Sequence, residues 1–190
     1  MNSNQQALFD KLASLQESMT KTGEHYWKLY SHMGIWQFWA VLLILVVPLV
    51  ILYFTIDRKN ILLICFFGFA NNLLSSYIDV MGIGYGLWAY PYQLLPFLPS
   101  LSMDASVVPI YIMLVYQWTI RHNKNFYFYS FLAALLFGYG FTALTVWLGL
   151  FEIHKWMNYT YIFLSYFIQY VLAYWLTNLF LYLQKKEKGV

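Results

Sequence analysis

Between Lys59 and Arg121 the only charged side chains are Asp79 and Asp104. The chain also runs without Asp, Glu, Lys or Arg from Ser31 to Ile56, from Asn125 to Phe151 and from Trp156 to Gln184. Such stretches match the roughly 20 residues that a helix rising 1.5 Å per residue needs to cross about 30 Å of hydrocarbon. With 61% of its residues hydrophobic and 10% charged, a soluble domain would lack the polar surface to cover itself. The composition therefore predicts an all-α integral membrane bundle with a lipid bilayer as its partner.

Charge clusters and helix signals predict five spans, at about 35–56, 61–78, 104–120, 126–150 and 159–183. Asp57, Arg58 and Lys59 close the first, which carries Pro48 as a kink. Asp104 is placed to cap the third. Residues 1–33 form a separate segment ahead of the bundle at 34–184, and residues 185–190 form a basic tail. In the N-terminal segment Leu8, Leu12, Leu15, Met19, Thr22, Tyr26, Leu29 and Met33 alternate spacings of four and three, the pattern of an amphipathic helix. Such a helix lies on lipid or pairs with a second copy, and Gly23 is expected to weaken its middle.

Residues 80–103 contain Gly82, Gly84, Gly86, Pro91, Pro96 and Pro99 among aromatic and aliphatic residues, with no charge. The glycines and prolines are expected to break any helix, leaving an apolar cap folded over one end of the bundle. Basic residues favour the side holding Arg58, Lys59, Arg121, Lys124, Lys185, Lys186 and Lys188. By the positive-inside rule that side is cytoplasmic, so the N-terminus and the cap lie outside. The small net charge of +3, carried at segment ends, argues against nucleic-acid binding. A single cysteine, Cys65, excludes an internal disulfide or a thiolate cluster.

Two polar stripes carry the candidate site. On the second span Gly68, Asn72, Ser75, Ser76 and Asp79 recur at helical spacing, and on the fourth Gly138, Thr142, Thr145, Gly149 and Glu152 do the same. Small residues at such spacing also serve plain helix packing, but packing has no need of the terminal acids. Asp79, Asp104 and Glu152 all fall at the outer face of this topology. Grouped there, they would bind a hard metal ion through oxygen, or an organic cation against Trp88, Tyr90 and Tyr92. If instead they stand apart, each is a solvated helix-end charge. No catalytic residue, cofactor site or metal-ligand spacing is legible in the sequence.

The run Trp36-Gln37-Phe38-Trp39, then Tyr53-Phe54 with Asp57-Arg58-Lys59, and Asp79 followed by Gly86, Trp88, Tyr90-Pro91-Tyr92, Pro96 and Pro99 carry a family resemblance. So does Pro109 followed by Met113-Leu114-Val115-Tyr116-Gln117-Trp118. Over about residues 27–180 the chain resembles a family of small multi-spanning membrane proteins, without assigned activity, from Bacillus, Clostridium and related spore-forming bacteria. The resemblance implies a bacterial cytoplasmic membrane and transfers no functional residue. The expected function is a non-enzymatic receptor or accessory protein with a small-ligand or cation site at the outer face. A structural or partner-binding protein, working with another membrane protein or a second copy, is one alternative. An intramembrane enzyme acting on a lipid or isoprenoid is the other.

Overall fold

The computed structural model describes residues 2–187. It is an all-α bundle with five helices long and apolar enough to cross a membrane. The chain begins with α1, Ser3–Tyr30, followed by α2, Trp36–Thr55, and α3, Ile61–Gly84. Beyond an irregular stretch, a π-helical turn at Met103–Val107 leads into α4, Val108–Arg121. A second π-helical turn, Leu136–Phe141, joins α5, Phe126–Leu135, to α6, Thr142–Trp147. The last helix is α7, Tyr159–Glu187. It carries Lys185 and Lys186 of the expected tail, while Lys188 lies outside the described residues.

Helix α7 packs on α3 along one side and on α5 and its π-helical turn along the other. Helix α4 closes the ring by touching both α3 and α5, and α2 leans on α4 and the first π-helical turn. At the centre of the ring Phe67 meets Tyr116 with ring centroids 4.3 Å apart, and Phe126 stacks on Tyr174 at the same separation. Close approach comes from small residues, as the stripes imply, but each stripe faces a neighbouring helix rather than the other stripe. A Cβ on Gly68 would meet Met113 Sδ of α4 at 2.1 Å, and one on Gly138 would meet Phe163 Cα of α7 at 2.7 Å.

Several expected boundaries shift. Helix α3 continues through Gly82 to Gly84 instead of stopping near residue 78. Gly82 is there for clearance, since a Cβ would sit 1.9 Å from the Trp88 indole. Pro48 lies within a continuous α2. Near it Ser106 Oγ donates to Leu45 O at 2.6 Å, a side-chain bond of the kind that supports backbone around a membrane proline. Asp104 does not cap its helix from outside but lies within the π-helical turn.

The irregular stretch folds over one end of the bundle as a cap. Its strand β1, Trp88–Ala89, pairs antiparallel with β2, Glu152–Ile153, in the register Trp88 to Ile153 and Ala89 to Glu152. His154 N donates to Leu87 O at 2.8 Å, and the Lys155 ammonium donates to Tyr85 O. Helix α1 lies against this cap and is unbroken at Gly23, where a side chain would approach Pro96 O. Trp27 Nε1 donates to Gln93 O at 2.9 Å, and Gln93 N donates to Ser31 Oγ at 2.8 Å. The heptad stripe lies on an adjoining face and stays open, with Leu8 and Leu12 each 66% exposed.

Gly138→Ala is expected to lower stability by about 1 to 3 kcal/mol, because backbone of α7 blocks the new methyl group. Gly140→Ala, whose Cβ would touch only Leu136 Cδ1 at an ordinary 3.5 Å, should be close to neutral. Thermal unfolding of the two variants in detergent checks the contrast.

Candidate functional site

Asp79 and Asp104 are the buried acids of the described residues, 8% and 6% exposed. Asp79 sits on the last turns of α3, three residues before the glycine that admits the Trp88 ring. Trp88 Nε1 donates to Asp79 Oδ1 at 2.7 Å. The Tyr90 hydroxyl donates to Oδ2 at 2.9 Å and lies 3.2 Å from Oδ1. Burial, and then the neighbouring Asp79 carboxyl, hold the Tyr90 phenol well above its ordinary pKa, so it remains a donor at physiological pH.

Asp104 receives Ser75 Oγ on Oδ1 at 2.5 Å and Ser100 Oγ on Oδ2 at 2.6 Å. Asn72 Nδ2 donates to the Asp104 main-chain oxygen at 2.6 Å. The wider turn of the π-helix therefore meets α3 through both its side chain and its backbone. Isolated π-helical turns frequently mark functional sites, because they interrupt the regular ladder and re-aim a side chain.

The two carboxyl groups face one cavity of about 40 Å³ between α3, α7 and the cap. That is room for roughly three water molecules. Ser75, Tyr90, Ser165, Tyr166 and Gln169 supply its polar lining, and no Lys, Arg or His contributes. Below it Gln169 Nε2 donates to Asn71 Oδ1 at 3.0 Å, and both residues are buried. Thr142 and Thr145 of the other stripe line a smaller adjoining space with Tyr90 and Tyr166, while their hydroxyls bond to backbone of their own segment.

Of the residues expected to form the site, Asp79, Asp104, Ser75, Trp88 and Tyr90 come together, and Asn72 supports them from behind. Glu152 does not join them. It lies in β2 with its side chain exposed, 3.5 Å from His154 Nε2. Tyr92 is also apart, accepting from Gln37 Nε2 at 3.3 Å, and Ser76 is not among the cavity-lining residues. Trp88 and Tyr90 act as hydrogen-bond donors to a carboxylate, which is a different role from the cation-π faces expected of them. Among the described residues no cluster of three or more His, Cys, Asp or Glu is placed to hold a metal ion.

Ser100, Ser165, Tyr166 and Gln169 are additions to the site. A signal for part of this set exists, since Ser165, Gln169, Ala173 and Thr177 recur every four residues along α7. Ser100 has no such signal, because it lies in the irregular cap.

Fold and site together define an all-α bundle of the multi-pass membrane type, with a buried acidic pair beneath a cap. No known protein family, curated protein or solved structure matches the chain.

Because Trp88 and Tyr90 converge on the same carboxylate, their contributions should not add. Trp88→Phe and Tyr90→Phe are each expected to lower stability by about 1 to 3 kcal/mol. A double-mutant cycle on unfolding free energies should return a coupling of about 0.5 kcal/mol or more, whereas additive losses would mean that the two donors serve Asp79 independently.

Proposed function

We propose that the protein is a non-enzymatic, multi-pass protein of the bacterial cytoplasmic membrane that binds a small inorganic cation between Asp79 and Asp104, as a receptor or accessory subunit. The observation that carries this reading is two buried carboxyl groups sharing one cavity to which no basic side chain contributes. Burying a charge without a counter-charge is costly, so the pair calls for a proton or a cation. Ionisable groups buried inside a membrane bundle commonly belong to ion or proton sites.

The size of the space favours a small occupant. Pockets for organic ligands run from about 300 to 1,000 Å³, and about 40 Å³ admits neither an organic cation nor an isoprenoid chain. The carboxylate oxygens, the Ser75 hydroxyl and the side-chain carbonyl of Gln169 are oxygen ligands suited to a hard cation. The competing structural reading also has support, because four side chains already donate to the two acids. In that case the acids hold the cap to the helices and bind nothing.

In purified protein at matched ionic strength, one of Na+, K+, Mg2+ or Ca2+ should raise the unfolding temperature in a saturable way. A ligand at a hundred times its Kd stabilises by about 2.7 kcal/mol. Asp79→Asn and Asp104→Asn should each abolish that dependence while retaining the fold. Equal unfolding temperatures in all four salts would leave the structural reading in its place.

The proposed orientation puts α1 and the cap outside. With Cys65 replaced by alanine, a cysteine at Ser18 should react with an impermeant thiol reagent in intact cells, and one at Lys124 should be shielded. The reverse pattern would invert the topology.

A further inference from the structure

At the end of the bundle opposite the cap, the first turns of α3 and the last turns of α7 line a groove of about 910 Å³. Its mouth carries Arg58 and Lys59, and its walls are apolar, formed chiefly by Leu62 and Phe66 of α3 and Phe180 of α7. We propose that this groove binds an anionic phospholipid, with the phosphate at Arg58 and Lys59 and an acyl chain laid along Leu62, Phe66 and Phe180.

Charge complementarity points to the headgroup. Arg58 and Lys59 are exposed and form no ion pair among the described residues. Asp57, the acid of the same turn, already accepts from Lys59 N at 3.0 Å and from Asn60 Nδ2 at 2.8 Å. Those two bonds, Asn60 first, hold its carboxyl below the usual range. Helix α3 also starts without a side-chain cap, so its first amides, carried by residues that line the groove, have no side-chain acceptor and favour a phosphate there.

The walls point to a lipid rather than a free anion. Leu62 and Phe66 lie one turn apart on α3, and Leu62 is 84% exposed. The Phe66 and Phe180 rings meet edge to face with centroids 5.3 Å apart, forming an apolar floor. A soluble phosphate would use only the mouth, whereas a phospholipid matches both the basic end and the apolar length. Basic pockets between transmembrane helices select anionic headgroups in this way. The inference uses neither Asp79 nor Asp104, so it stands or falls apart from the cation site.

Native mass spectrometry of the full chain from nanodiscs with equal phosphatidylglycerol and phosphatidylcholine tests it. Wild-type protein should retain phosphatidylglycerol over phosphatidylcholine by about tenfold. Arg58→Gln combined with Lys59→Gln should remove the preference. Lys124→Gln, a basic position at the same end but outside the groove, should keep it, and Phe180→Ala should weaken retention without changing headgroup choice. Unfolding temperatures confirm that each variant is folded. No preference in the wild type, an equal loss with Lys124→Gln, or displacement of the lipid by millimolar inorganic phosphate would overturn the proposal.

Discussion

Two carboxyl groups buried in an apolar bundle impose the condition that the rest of this structure meets. Each needs donors, and they come from separate parts of the chain. Ser75 comes from α3, while Ser100, Trp88 and Tyr90 come from the cap. Satisfying the acids therefore ties the irregular segment to the helices. Buried away from water, unpaired groups of this kind would cost several kcal/mol each. The short β1 and β2 pairing and the docking of α1 on Gln93 then hold the cap from above.

Close packing makes that convergence possible. Gly82 lets the Trp88 indole lie against α3 so that its N–H reaches Asp79, and Gly68 and Gly138 bring α4 and α7 to short range. The π-helical turn at Met103–Val107 sets Asp104 against Ser75 while Ser106 grips α2. Side-chain hydrogen bonds between transmembrane helices are individually modest, about 0.6 kcal/mol on average. Two side-chain donors on each acid, together with glycine contacts, specify the arrangement better than any single bond would.

Much of the site was legible because charge is so scarce here. Asp79 and Asp104 stand out in a 61-residue interval from Asn60 to Ile120 that holds no other charged group. Ser75 followed from helical spacing with Asp79. Glu152 obeyed the same spacing on the fourth span yet lies elsewhere. Helix α6 ends at Trp147, and Gly149 turns the chain with a φ of +70°, so the helical register no longer applies three residues later. On α3 the reverse holds, because Gly82 reads as a helix breaker yet the helix runs through it and ends at Gly84. In a segment supported by neighbours, glycine marks a close contact as readily as a break.

The sequence by itself determined the five apolar helices, the N-terminal amphipathic helix and the two acids that had to be accounted for. These depend on local quantities: hydropathy over about 20 residues, periodicity and the rarity of charge. Only the tertiary structure decided that Asp79 and Asp104 share a cavity, that Glu152 is excluded, that Ser100 and Gln169 belong, and that Trp88 and Tyr90 donate hydrogen bonds. Those outcomes depend on which helix faces are neighbours and on the path of an irregular cap. Contacts between distant segments set both, and a local pattern cannot carry that information.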